Sequence, residues 1–195
     1  MSIIIRAEHW SLTRGITRQK PCVNGFIANI TDELGEWLVA QKNKDEDESI
    51  DAVADITVFS LTELFKLGVT VDPSISTLLS GKEYFSKWYM SLCKVEDSSR
   101  NEFNRSIIHQ LGLYELNNQP LGSPTQAIIT DIIIECLQKM TTMGYNPILV
   151  MDEVLKVVES RVGKWDEVNS KFQKDTSPEA KANWYTPNYT RARRK

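Results

Sequence analysis

Two groups of acidic residues on neighbouring segments are the clearest candidates for chemistry in this sequence. The first group lies in TDELGEWLVAQ and the second in ESIDAVADITVFSLTELF, and together they are Glu33, Glu36, Glu48, Asp51 and Asp55. A helix turns by about 100° per residue, so positions three, four or seven apart share a face. In helical form, each group therefore presents its carboxylates on one side.

The second acidic group lies on the stripe of its segment that is predicted to face the core. Beyond Asp55 the helical spacing continues with Val58, Thr62 and Phe65. Inward-facing carboxylates are unfavourable unless they are neutralised, and a hard divalent cation neutralises several at once. Two helices joined by the polar run 42–49 are thus expected to gather four or five carboxylates around Mg²⁺, with Mn²⁺ as a substitute. The alternative is a solvated acidic surface, which an isolated ExxE pair usually forms.

Helical patterns dominate the sequence around these acids and predict an all-α protein. Apolar spacing predicts helices over residues 25–42, 48–67, 75–95, 100–112, 125–143 and 147–160. Asp45 or Asp47 is expected to cap the second of these, and Pro147 suits the first turn of the last. Glycines are expected to end three of the helices, at Gly68, Gly112 and Gly144.

The connections and the C-terminal part are predicted to be irregular. ELNNQPLGSPTQ reads as a loop over 115–126, because it holds two prolines and a glycine. From Gly163 onward we expect irregular coil, with a short helix around SPEAKANW that Ser177 and Pro178 begin. We expect one domain over 1–195, with a core of 20–68 and 125–162, a helical insertion of about 69–124 and a polar, aromatic C-terminal segment, 163–195.

The composition narrows the partners and the location of the protein. Of the 195 residues, 41% are hydrophobic and 25% charged, which is ordinary for a globular protein, and the net charge is −3. That charge argues against binding of polymeric nucleic acid over the whole surface. No apolar run approaches the about 20 residues that cross a bilayer, and the apolar stretch within MSIIIRAEHW is too short for a signal peptide. We expect no membrane and a cytoplasmic location, the host cytoplasm if a phage encodes the chain.

Several other kinds of site are excluded by what the sequence lacks. Cys22, Cys93 and Cys136 form no CxxC or CxxH pattern, so we expect reduced cysteines and no zinc. His9 and His109 have no evident partner for a histidine-activated nucleophile. Neither a phosphate-binding GxxxxGK[ST] loop nor a GxGxxG motif is present.

The two acidic motifs carry a resemblance to a known family. ELGE at residues 33–36 followed after a short gap by ESID at residues 48–51 resembles the MazG-like all-α NTP pyrophosphatases. Asp55 lies one turn further on, as in some members. Other members place ExxD directly before the apolar run, which would make Asp55 its last residue, but residue 52 is then Ala rather than Glu. We take Glu48 and Asp51 as the pair, with Asp55 as a supporting or outer ligand.

A second stretch adds to the resemblance. YNPILVMDEVLKVVESRVGK and KFQKDTSPEAKANWY resemble the C-terminal part of phage-type members of this family. Those members run almost directly from the acidic helices into such a segment, whereas here about 75 residues, 69–143, lie between. The resemblance therefore covers about half of the chain.

The resemblance implies an enzyme that cleaves a nucleoside triphosphate to a monophosphate and pyrophosphate. It implies that Mg²⁺ is held by Glu33, Glu36, Glu48 and Asp51, with Asp55 among the catalytic acids. Basic and aromatic residues near the C-terminus would then contact the substrate: Lys171, Lys174, Arg161, Lys164 and Tyr185. The other reading is that these cations are solvated and that Trp184, Tyr185 and Tyr189 only anchor the C-terminal segment.

Further functional alternatives stay open at this point. A phage nucleotide-pool enzyme selective for one base, such as dGTP, dUTP or dCTP, is a narrower version of the same activity. A non-catalytic helical interaction module with a vestigial acidic site is the alternative class, and the unmatched residues 69–143 favour it. The family also implies assembly of protomers, and we expect a homodimer or homotetramer.

Overall fold

In the computed structural model, which describes residues 2–79, 100–117, 123–166, 168 and 171–194, helices account for most of the chain. The helices are α1 (Ile3–Thr13), α2 (Val23–Asn43), α3 (Glu46–Lys66), α4 (Pro73–Leu78), α5 (Arg100–Leu116), α6 (Ser123–Thr142), α7 (Pro147–Ser160) and α8 (Pro178–Lys181). Two strands, β1 (Gly163–Asp166) and β2 (Lys171–Lys174), pair as an antiparallel hairpin. The predicted, mainly helical class is confirmed, while the domain boundaries stay a prediction.

The turn between α2 and α3 fixes how the two acidic segments meet. Helix α2 ends at Lys44, whose left-handed backbone (φ 57°) lets its N–H reach the Ala40 and Gln41 carbonyls. Asp45 follows as the N-cap of α3, and its carboxylate accepts the Glu48 backbone N–H at 3.1 Å. The predicted cap is therefore confirmed at Asp45. With so short a turn, α2 and α3 must pack side by side and antiparallel.

Helix α3 is the centre of the bundle. It packs on α1, α2, α6 and α7, and from Ala52 to Leu64 nearly every side chain is buried. The buried hydroxyls of Thr57, Ser60 and Thr62 donate to the carbonyls four residues earlier, which satisfies them within the helix. A helix buried on several sides leaves few positions for charge, so an acid on it needs either an opening in the packing or a hydrogen-bond partner within the core.

Helix α2 covers one side of α3 with a regular apolar stripe. Phe26, Ile30, Leu34 and Trp37 are all buried, at the three- and four-residue spacing that the sequence predicts. Glu33 lies beside this stripe, which leaves it half-buried. The apolar contact between α2 and α3 thus sets the position of the first acidic group.

Helix α5 lies within the predicted insertion and runs further than expected. The predicted end at Gly112 is wrong, because the helix continues to Leu116. Tyr114, beyond the glycine, is buried, and its hydroxyl donates to the buried Glu63 carboxylate of α3 at 2.9 Å. This tertiary contact outweighs the low helix propensity of one glycine. Of the predicted helix 75–95, α4 is described, and residues 80–99 lie outside the described part.

The C-terminal segment is more ordered than predicted. The expectation of irregular coil is wrong for β1 and β2, in which Gly163 pairs with Lys174 and Lys164 with Gln173. Four-residue strands give too short an alternation to be recognised in a sequence. The short helix expected in SPEAKANW is present as α8, with Ser177 as its N-cap. In the part of the chain that the structure describes, no helix is both long and apolar enough to span a membrane.

Candidate functional site

The five predicted acids come together where α2 and α3 meet near the turn. Glu33, Asp51 and Asp55 are half-buried, and Glu36 and Glu48 are exposed. The negative charges of Asp55, Glu36 and Asp51 all act on Glu33, and those of Asp51 and Glu36 act on Glu48. The acids from both helices therefore form one electrostatic group, which we call the acidic cluster.

Glu33 is the member of the acidic cluster that is most strongly destabilised as an anion. Burial, and after it the charges of Asp55 and Glu36, raises the pKa of its carboxyl to about 8. Its Oε2 atom is buried and accepts no hydrogen bond. A buried carboxylate oxygen without a donor is unfavourable, so this position would be relieved by a proton or a cation.

Burial also raises the pKa values of the two aspartates of α3, and nearby groups oppose part of the rise. Burial, followed by the charge of Asp51, raises the pKa of Asp55 to about 7. Burial also raises the pKa of Asp51, although a hydrogen bond from the Tyr189 hydroxyl and the charge of Arg161 oppose the rise. The carboxyl of Asp55 is thus close to its point of protonation at neutral pH, and the pKa of Asp51 is shifted in the same direction.

Two of the predicted cations face the acidic cluster. Arg161, the C-cap of α7, acts on both aspartates, and Lys174, at the end of β2, acts on Asp55 and Glu33. Partial burial and the charge of Arg161 lower the pKa of Lys174, while the acids raise it. The guanidinium of Arg161 lies 5.6 Å from the ring centre of Trp184, and its Nε atom is buried without a hydrogen-bond acceptor. Lys174 of the hairpin and Arg161 at the end of α7 therefore both place positive charge near the acids.

The remaining predicted substrate contacts lie elsewhere or outside the description. Lys164 is exposed on β1 and lines a cavity of about 600 Å³ together with Lys174. The Tyr185 hydroxyl donates to Glu153 at 2.7 Å, and Lys156 lies over its ring. The side chain of Lys171 is outside the described part of the structure. Substrate roles for Lys164, Lys171 and Tyr185 stay predictions.

An open cavity of about 690 Å³ adjoins the exposed side of the acidic cluster. It is lined by Asp32, Gly35, Glu36, Val39, Ala40, Asn43, Asp45 and Glu48. A side-chain carbon added at Gly35 would meet nothing within 4 Å, so this part of α2 leaves free space beside the acids. Carboxylate oxygens, the apolar side chains of Val39 and Ala40 and the amide of Asn43 share this cavity, which suits a polar ligand with an apolar part.

The acidic cluster has the right chemistry for a hard cation, but its oxygens do not converge. Carboxylate oxygens are the preferred ligands of Mg²⁺ and Mn²⁺. Among the residues that the structure describes, no three Asp, Glu, His or Cys side chains form a group able to hold a metal ion. A divalent cation would therefore fit here only after some of the carboxylates rotate toward one another, as half-buried and exposed side chains can.

The hydrogen bond between Tyr189 and Asp51 was not predicted from the sequence. Its aromatic ring was expected only to anchor the C-terminal segment, yet its hydroxyl donates to Asp51, which is 138 residues earlier. No local pattern in the sequence signals a hydrogen bond over that separation.

Comparisons of the chain with models of known families, with curated proteins and with solved structures each found no match.

Proposed function

We propose that the protein is a Mg²⁺-dependent nucleoside triphosphate pyrophosphohydrolase, which converts a (d)NTP to a (d)NMP and pyrophosphate. One observation carries the proposal: carboxylates of α2 and α3 share a half-buried place where burial and mutual repulsion oppose their ionisation, while Arg161 and Lys174 face them. Carboxylates whose charge is only partly compensated suit a divalent cation, and the cations beside them suit phosphate oxygens. A nucleotide with its bound divalent cation brings both.

The residues divide into three roles. Glu33, Glu36, Glu48 and Asp51 would hold Mg²⁺, which supplies positive charge to the phosphates when bound. Asp55, with a carboxyl pKa of about 7, is suited to accept a proton from the attacking water. Lys174 and Arg161 would bind the β- and γ-phosphates, and so stabilise the pyrophosphate that leaves. Positioning and charge neutralisation would provide most of the catalysis.

The cavity beside the acidic cluster is the proposed place for the nucleoside. Val39 offers an apolar surface and Asn43 an amide able to hydrogen-bond a base edge. Selectivity for one base, as in a phage nucleotide-pool enzyme, would come from this pocket. Two other apolar residues are exposed outside this cavity, Leu38 on α2 at 40% and Ile108 on α5 at 61%. We propose that they contribute to the contact of a homodimer or homotetramer.

A pyrophosphate-release assay tests the proposed activity. The full chain is incubated with each (d)NTP and Mg²⁺, and we expect release with at least one nucleotide. Glu36→Gln and Asp51→Asn are expected to reduce release to the background rate while the far-UV circular dichroism stays that of the wild type. Absence of pyrophosphate with every nucleotide would reject the enzyme.

A non-catalytic helical module is the second candidate, and two observations favour it. Arg161 and Lys174 already compensate part of the negative charge, and no three acids of the described residues converge on a metal position. A scaffold of this kind would need no cation. Thermal unfolding with Mg²⁺ or Mn²⁺ separates the candidates, because an acidic cluster that binds the ion raises Tm and a vestigial one leaves it unchanged.

A further inference from the structure

The hydrogen bond from Tyr189 to Asp51 joins the C-terminal end of the chain to the acidic cluster. Tyr189 is buried, 3% exposed, and lies in a single 3₁₀ turn, Tyr189–Ala192. Its hydroxyl donates to Oδ1 of Asp51. The other oxygen, Oδ2, receives no hydrogen from Tyr189 in this arrangement, so the contact fixes the carboxylate while leaving one oxygen free of the tyrosine.

The segment that carries Tyr189 is held at its C-terminal side by backbone hydrogen bonds. The Asn146 N–H donates to the Ala192 carbonyl at 2.7 Å, and the Arg194 N–H donates to the Gly144 carbonyl at 2.8 Å. Both bonds tie the segment to the turn between α6 and α7. Such bonds do not depend on side-chain rotamers, so they define the position of the turn well.

The N-terminal side of the same segment is held by Glu153 of α7. One oxygen of this buried carboxylate accepts both the Asn188 N–H at 2.9 Å and the Tyr185 hydroxyl at 2.7 Å. Lys156 bonds the other oxygen at 2.7 Å. With Tyr189 fixed from both sides, its hydroxyl is placed by the fold rather than by its own flexibility.

We propose that Tyr189 is a positioning residue, which holds the Asp51 carboxylate in the orientation that receives a divalent cation. This inference rests on the proposed cation site. Without the hydroxyl, Asp51 is free to rotate, and its oxygens lose the partner that orients them. Hydrogen-bond partners of carboxylate ligands change metal affinity by about 10- to 100-fold when they are removed.

The test measures binding of Mn²⁺ alone to the full-length chain by electron paramagnetic resonance, without nucleotide. Tyr189→Phe keeps the ring in its buried place and removes only the hydroxyl, so the variant is expected to fold. We expect its Mn²⁺ dissociation constant to rise about tenfold or more. In the Asp51→Asn background, Tyr189→Phe should cause no further loss, because Tyr189 acts through that carboxylate.

Tyr114→Phe is the matched control. Tyr114 is also a buried tyrosine that donates to a carboxylate of α3, but its partner Glu63 lies about 18 Å further along the helix than Asp51. We expect wild-type Mn²⁺ affinity in this variant. Equal affinity of Tyr189→Phe and the wild type, an equal loss in both tyrosine variants, or no Mn²⁺ binding by the wild type would each overturn the inference. Mn²⁺ binding without any release of pyrophosphate would reject the proposed reaction and leave the role of Tyr189 in place.

Discussion

Asp55, on α3, lies close enough to Glu33, on α2, for its negative charge to raise the pKa of the Glu33 carboxyl, an effect second only to burial. The two residues belong to different helices, and the apolar packing of α2 on α3 sets their separation. The fold therefore holds two acids together at an electrostatic cost. That cost makes the stability of the protein depend on pH and on cations.

The contribution of Glu33 to stability without divalent ions is expected to decrease from about pH 4.5 to pH 8. The folded-state pKa of Glu33, about 8, lies above its ordinary value of 4.5, so between these values the folded state keeps a proton that the unfolded state has released. The free energy of unfolding therefore falls as pH rises. Glu33→Gln removes this term and should stabilise the fold at pH 8 by about 1 to 3 kcal/mol, with no gain at pH 4.5. Urea unfolding in EDTA measures the difference.

Asp152→Asn serves as a control, because its expected effect on stability at pH 8 is opposite to that of Glu33→Gln. Burial alone would raise the pKa of Asp152, but hydrogen bonds from Lys156 and Arg6 outweigh it and lower the pKa. Its contribution to stability is present at neutral pH and is lost as pH falls through the folded-state pKa. This variant should therefore be less stable than the wild type at pH 8. A Glu33→Gln variant that is also less stable at pH 8 would contradict the arrangement.

Divalent ions are expected to stabilise the protein more at pH 8 than at pH 6. At pH 6 Glu33 and Asp55, with pKa values of about 8 and about 7, hold protons that a cation must displace. The rise in Tm with Mg²⁺ or Mn²⁺ should therefore grow with pH. Calorimetric titrations in two buffers of different ionisation enthalpy should also detect released protons. The same rise in Tm at both pH values would show that these two carboxyls do not take part.

The sequence predicts the acidic cluster because helix periodicity is a local property. Glu33 and Glu36 on one helix, and Asp51 and Asp55 on the next, follow from the spacing, and the Asp45 cap fixes the turn between them. The helix α1 was not predicted, although Ile3, Ala7 and Ser11 are buried at regular spacing of four residues. This four-residue spacing, which is typical of a helix with one buried face, is already visible in the sequence of residues 3–11.

Two features of the C-terminal segment were not predicted from the sequence, the contact of Tyr189 with Asp51 and the hairpin. Tyr189 reaches Asp51 only because the turn before α7 binds the C-terminal segment through backbone atoms. Backbone hydrogen bonds of this kind do not depend on particular side chains, so the residue types do not indicate where they form. The hairpin, with Gly163 opposite Lys174, was not predicted for a different reason: its four-residue strands are too short for alternation to be recognised. Pairings between distant segments are fixed by tertiary structure, and periodicity alone does not report them.

Substitutions at Gly35 test the cavity beside the acidic cluster. Gly35 and Gly112 both lie inside helices, and an added side-chain carbon meets nothing within 4 Å at either position. Alanine at each should stabilise the fold by about 0.5 to 1 kcal/mol, because glycine is unfavourable within a helix. Gly35→Leu should fill the cavity and raise the KM for nucleotide, whereas Gly112→Leu should not. Equal KM values in both leucine variants would place the nucleotide elsewhere.

Lys174 and Lys164 form a matched pair for the phosphate contact. Both side chains are exposed. The charge of Lys174 interacts with Asp55 and Glu33, whereas Lys164 lies on the other strand of the hairpin. Lys174→Gln should raise the KM for nucleotide by about tenfold, the usual effect of losing a charged hydrogen bond. Lys164→Gln is expected to change KM less. Steady-state kinetics at saturating Mg²⁺ compare the two, and a larger effect at Lys164 would reverse the assignment.

Gly163→Ala tests whether the hairpin itself positions Lys174. A side-chain carbon at Gly163 would lie 2.1 Å from the Gln173 carbonyl oxygen and 2.6 Å from Cζ of Phe172, so the strands cannot keep their present spacing. Because Gly163 pairs with Lys174, the displacement acts directly on the residue that faces the acids. KM should rise at least as much as in Lys174→Gln, and the double variant should be no worse than Gly163→Ala alone. Mn²⁺ affinity should stay near the wild-type value, since the carboxylates are on α2 and α3. Loss of Mn²⁺ binding together with substrate binding would instead mean that the hairpin supports the whole acidic cluster.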